Sequence, residues 1–228
     1  MKALLKVVGN RIKNIALPSL VLLLFTCLKP DPNHVADPTS VSIVSFDDQL
    51  KVFQKLGFEF NPGTDSSDLN RWGGRKRYED QPYSVMYMAL GGNIDRTPWT
   101  PITNKCWHLD RENIKAKDGY TGILKQIQRI SGGDIQLENL KEEISSGGIS
   151  TISFQAKGIS FNWKLHIADG AFDADLFSNL VDLGLQLKTI KKFTLLEIGG
   201  ENVVIGYENR DGLYAIRKAT GLHISWMT

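Results

Sequence analysis

From Ile159 to Ile167 apolar and polar residues alternate without a break, as Ile159, Phe161, Trp163, Leu165 and Ile167 with polar partners between. Side chains of a strand point to opposite faces in turn, so this pattern fits a strand with one buried and one wet face and fits no helix. A turn at Lys157-Gly158 precedes it. Before the turn Ile152, Phe154 and Ala156 alternate in the same way. The two segments read as an antiparallel hairpin whose apolar face must be covered.

The covering elements are legible nearby. Asp173 opens a helix whose Leu176, Phe177, Leu180, Val181, Gly184 and Leu187 make a broad apolar face. A second hairpin follows, from Phe193–Ile198 through the turn Gly199–Asn202 to Val203–Tyr207. Asp211 then begins a short helix with Leu213 and Ile216 inward, Gly221 ends it, and Leu222, Ile224 and Trp226 alternate as a last strand. The order ββαββαβ predicts an α+β fold, an antiparallel sheet with helices packed on one face. Upstream, Ser45 caps a helix carrying Leu50, Phe53 and Leu56, and Gly57 ends it. Residues 57–83 read as a long loop. Ser84–Leu90 reads as a short helix or strand, Gly91–Asn104 as turns and Lys105–Asp110 as a strand. Gly119–Ser131 reads as a helix capped by Asp118, and Leu137–Ile144 as another short helix.

The N-terminus has a different character. Lys2, Lys6, Arg11 and Lys13 precede the apolar run Ile15–Phe25, which Cys27 closes. A basic segment followed by an apolar run of about 7–15 residues is the build of a secretory signal; a spanning helix needs about 20. Leu24-Phe25-Thr26-Cys27 resembles a bacterial lipobox, in which the cysteine is acylated and becomes the mature N-terminus. Thr26 and the bulky Phe25 depart from the small residues usual there, which leaves an uncleaved anchor, ordinary secretion or a cytosolic chain as the competing readings. On this reading residues 1–27 are a signal peptide, 28–44 an extended tether rich in Pro and Asp, and 45–228 a single α+β domain, with two subdomains that meet near 145 as the alternative. The expected location is the bacterial cell envelope, held to a membrane by N-terminal lipid, with the domain in the periplasm or at the cell surface.

Removal of that leader would change the net charge. The chain has 228 residues, 27 of them basic and 25 acidic, but four of the basic ones precede Cys27, leaving 23 against 25. A near-neutral, slightly acidic domain gives no general footprint for nucleic acid. Only Cys27 and Cys106 occur, so lipidation of the first leaves Cys106 as a lone thiol, expected to be buried.

The most pointed surface candidate is Arg71, Trp72, Arg75, Lys76, Arg77 and Tyr78, four cations interleaved with two aromatics in an expected loop. Such a segment can grip an acidic partner, a phosphate or a glycan. It can equally be a solvated loop whose charges answer Asp65, Asp68, Glu79 and Asp80. Trp72 and Trp99 both fall in expected loops, where aromatics serve binding or cover the edge of a core.

His108, His166 and His223 each take the polar phase of an expected strand, and neighbouring strands would gather them, with Asp110, into a metal or acid–base site. None shows ligand spacing, and three unrelated half-exposed histidines is the competing reading. The glycine pairs lack the strand–loop–helix context of a phosphate cradle. Asp173/Asp175 and Glu142/Glu143 fit a helix cap and an exposed helical face. No cofactor motif is present, and no nucleophile elbow.

The segments Pro82–Gly92, Lys105–Ile114, Phe172–Leu183 and Asn202–Trp226 resemble small bacterial proteins of unassigned function, among them immunity proteins that bind and neutralise a toxin. The resemblance implies a binding role with a protein partner and no catalytic residues. An envelope enzyme using the histidine face and a structural envelope component are the alternatives.

Overall fold

The alternating segments do pair. In the computed structural model, which describes residues 43–110, 119–168, 171–199 and 202–228, Ile149–Ala156 (β3) and Ile159–Ala168 (β4) form an antiparallel hairpin. Lys157 and Gly158 turn it with φ of 47° and 76°, the left-handed pair that a two-residue hairpin of matching twist requires. Ile152 faces Trp163 and Phe154 faces Phe161; the Phe154 ring stacks on Phe161 at 5.0 Å and meets Trp163 edge-on at 5.0 Å. Burying each such ring contributes about 1.5–3 kcal/mol. The leader, Cys27, most of the tether, the Asp118 cap and the middle of the Gly199–Asn202 turn lie outside the described residues.

The fold is α+β, with helices and antiparallel strands throughout. Its strands divide between two four-stranded sheets. Glu138–Ile144 (β2) and Ala171–Phe172 (β5) flank the hairpin in the order β2-β3-β4-β5. The other sheet joins Cys106–Asp110 (β1), Lys192–Gly199 (β6), Asn202–Glu208 (β7) and Ser225–Trp226 (β8) in the order β1-β7-β6-β8. Six α-helices accompany them among the described residues: α1 (Phe46–Lys55), α2 (Gly74–Asp80), α3 (Ser84–Leu90), α4 (Gly119–Ile130), α5 (Asp175–Gln186) and α6 (Arg210–Thr220).

The β1-β7-β6-β8 sheet has a core on each face. One contains Phe53, Tyr87, Leu90, Leu196, Val204, Leu213 and Ile216, from α1, α3 and α6 against the sheet. The other contains Leu109, Val203 and Ile205 together with Ile127 of α4, Leu180 of α5 and Trp163 of β4. Helices α4 and α5 therefore lie between the two sheets. The β2–β5 sheet keeps one wet face, whereas β7 is buried on both, which explains why Val203–Tyr207 reads as a continuous apolar run. Gly206 allows the α3 side to close up: a Cβ there would stand 2.6 Å from Thr194 Oγ1 and 2.7 Å from the Tyr87 hydroxyl.

Several expectations need correction. Leu137–Ile144 is not helical. Its Leu137/Leu140 spacing suits a helix, but Asn139 sits at φ 53° and the β2–β3 register shifts between Glu138 and Lys141. That bulge brings both leucines against the core while Ile144 stays exposed. Residues 57–83 are not one loop either. A 3₁₀ helix spans Ser66–Trp72, capped reciprocally by Asp65 and Asp68, and Gly73 at φ 108° separates it from α2. Residue 145 lies in the turn of the β2–β3 hairpin, where the Ser145 amide donates to Ile149 O at 2.9 Å. Asp173 does cap the start of α5: its carboxylate accepts from the amide of Asp175 (3.0 Å), the first residue of the helix, and its carbonyl from the amide of Leu176 (3.0 Å), while the same carboxylate also accepts from the His166 amide (2.9 Å). The last strand is shorter than its alternation implies, pairing only Ser225 and Trp226 with β6.

Candidate functional site

The Arg71–Tyr78 segment is helical, and most of its side chains are engaged within the fold. Arg71 donates to Asn93 O and lies 4.9 Å from the Trp72 ring centre. Arg75 pairs with Asp47 at 2.8 Å and covers the Phe46 ring, tying α2 to the start of α1. Lys76 pairs with Asp80 at 2.8 Å, and Arg77 donates to Trp72 O at 3.0 Å. Tyr78 is not a surface residue: it is fully buried, and its hydroxyl donates to Leu69 O. The pairing acids are only partly those expected, because Asp68 binds Arg96. Exposed pairs of this kind contribute about 0–1 kcal/mol each, so they orient the helix more than they stabilise it.

The two tryptophans separate sharply. Trp72 is half-buried, edge-on to the His108 ring at 5.3 Å and packed under Gly92. Trp99 is 63% exposed. Its loop is pinned at the base: the Ile94 amide donates to Thr100 O and the Ile102 amide to Gly92 O, both at 2.9 Å. Arg96 adds its pair with Asp68 and a 2.8 Å bond to Gly63 O, and Arg71 holds Asn93 from the 3₁₀ helix. A large amphipathic ring is thus held in solvent by a loop fastened from several directions.

The histidines do not assemble. His108 lies on β1 and His223 just before β8, at opposite edges of a four-stranded sheet, and three strand spacings put those edges about 14 Å apart. His166 belongs to the other sheet. Among the described residues no group of three His, Cys, Asp or Glu could hold a metal ion. His108 Nε2–H donates to Asn202 Oδ1 at 2.9 Å, and burial holds its pKa below the ordinary histidine value. Cys106 is a free, buried thiol whose pKa burial pushes up to about 12, which leaves it inert as a nucleophile. Glu142 lies on a strand, not on a helical face. Its carboxylate accepts from the amides of Tyr120 (3.2 Å) and Thr121 (3.0 Å) at the start of α4 and from the Ser150 hydroxyl (2.6 Å).

A further cavity was not foreshadowed by any sequence motif. It lies between the end of α5, the α5–β6 connection and β8, with a volume of about 410 Å³. Leu180, Val181, Phe193, Trp226 and Met227 supply its apolar lining, and Lys188, Lys191 and Lys192 are the charged side chains that line it among the described residues. The helix ends locally to build it. Lys188 takes the left-handed conformation at φ 52°, its amide donates to Leu185 O at 3.1 Å, and the Thr189 amide donates to Gly184 O at 3.1 Å. Thr189 Oγ1 then donates to Lys191 O at 2.8 Å. This turn leaves Ile190 87% exposed and Leu185 61% exposed beside the lysines. The local trace is Lys188-Thr189-Ile190-Lys191-Lys192, a cationic cluster around one apolar residue; Leu180, Val181, Gly184, Leu185 and Phe193 flank it in the chain, and only Trp226, Met227 and Thr228 come from far along the sequence.

No family model matches this chain, and no curated protein or solved structure matches it.

Proposed function

We propose that the chain is an exported bacterial protein, tethered by lipid on Cys27 to the cell envelope, that binds a protein partner in a protective, immunity-like role. The leader supports the location: a basic segment, an apolar run too short to span and a terminal cysteine. Among the described residues no helix is long and apolar enough to cross a membrane. The binding role rests chiefly on Trp99. An exposed aromatic on a fastened loop loses little conformational freedom on docking, and Trp and Arg dominate the energetics of protein interfaces.

The test uses cells that carry the matching toxin, encoded beside this chain or delivered by neighbours. Deleting the chain should sensitise them, and the native chain should restore growth. Trp99→Ala removes an exposed side chain and should leave the melting temperature unchanged. Losing an anchor worth about 2 kcal/mol weakens partner binding roughly 30-fold, so protection should be largely lost. Full protection by Trp99→Ala, or no sensitivity after deletion, contradicts the reading.

A further inference from the structure

The cleft beside β8 has a different chemistry from the Trp99 loop. Its volume of about 410 Å³ lies in the range of small-molecule sites, about 300–1,000 Å³. Its interior is apolar side chain, and its charge is of one sign: three lysines and no Asp or Glu among the lining residues. A carboxylate at Thr228, which also lines the space, would still leave a positive excess. Lys188 and Lys192 are exposed and Lys191 is half-buried. Leu185 and Ile190 add exposed apolar surface next to those cations. An occupant that answers all of this has an apolar body and an anionic end. A neutral apolar ligand would make no use of the rim charge, which water and, for Lys191, the Tyr207 ring 5.9 Å away otherwise solvate, and a small inorganic anion would leave the apolar floor uncovered.

We infer that the cleft binds one single-chain anionic amphiphile, with its acyl chain against Leu180, Val181, Phe193, Trp226 and Met227 and its carboxylate or phosphate head at Lys188, Lys191 and Lys192. Burial of the chain supplies the affinity, and the lysines select the head and set the on-rate. The inference is independent of the tethered-binding reading, since neither the leader nor Trp99 enters it.

Calorimetric titration of the full chain with dodecanoate, below its micelle concentration, tests it. One dodecanoate should bind per chain. Each two-methylene shortening of the ligand should weaken binding roughly 15-fold, at about 0.8 kcal/mol per buried methylene. Dodecanol should bind at least about tenfold more weakly, as should dodecanoate to the variant Lys188→Gln/Lys191→Gln/Lys192→Gln. Val181→Trp fills the cleft and should abolish the site. Should that variant not fold, the lysine variant alone still decides, because its changes lie at the rim. Dodecanoate that does not bind, or that binds the lysine variant as tightly as the native chain, overturns the inference. So does equal binding of dodecanol. Binding of anionic vesicles without binding of monomeric dodecanoate would make this face a membrane-docking surface and overturn it as well.

Discussion

His108 shows how one residue can satisfy a sequence pattern and still serve a different end. It takes the polar phase of β1, as the alternation requires, yet that phase packs against Trp72 and Asn202 and is only partly open to water. Burial therefore holds it neutral in the folded protein. Its folded pKa lies below the unfolded value of about 6.5, so as pH falls through 6.5 the unfolded chain takes up a proton that the folded chain refuses. Stability from this group is complete above that value and declines as pH drops toward the folded pKa, by at most about 1.4 kcal/mol per pH unit. Between about pH 7.5 and about pH 5 the native chain should lose more stability to urea than His108→Gln, which keeps a donor for Asn202. Equal losses would show that His108 does not titrate differently in the two states. The aspartates whose pKa values are lowered, such as Asp68 and Asp173, act in a lower window, below their ordinary value near 3.8.

At the level of elements, legibility followed how local the cause was. The β3–β4 hairpin, α4 and α5 were readable because their apolar residues repeat at the period of the element and are buried as the repeat implies. β2 was not, because its Leu137/Leu140 spacing mimics a helix and only pairing with β3 through a bulge reveals the strand. The two short helices in residues 57–83 likewise carry no apolar repeat in the sequence. The first carries the Asp65–Asp68 cap as its signal, and across the two only Leu69 and Tyr78 are fully buried, with Trp72 half-buried among polar residues. Glu142 is the clearest case of a long-range cause: a strand carboxylate 21 residues from Thr121 satisfies amides at the start of α4. Glu142→Ala should cost about 1–2 kcal/mol, the worth of a helix cap, with hydrogen exchange rising first in the opening turn of α4. A loss within about 0.3 kcal/mol would mean that water replaces the carboxylate at no cost.

For the whole molecule, the central sheet with a core on each face explains where exposed function can sit. The side chains of α1, α3 and α6 that face the sheet are committed to packing, as are those of α4 between the two sheets. What remains are loops fastened to that scaffold, such as the Trp99 loop, and edges where an element stops early, such as the short β8 beside the lysine-rimmed cleft. The Trp99 loop was visible in the sequence as an aromatic among turn residues, although nothing there distinguished Trp99 from Trp72. The cleft was not visible, because β8 closes against α5 and the turn that follows it only in the fold. The Trp99 surface gains its proposed meaning from the envelope location. That location is tested most directly by the mass of the N-terminal peptide of the chain recovered from the membrane fraction. The expected peptide begins at Cys27 and carries a diacylglyceryl group on its sulfur. A peptide that retains residues 1–26, or one with an unmodified Cys27, would contradict lipid tethering.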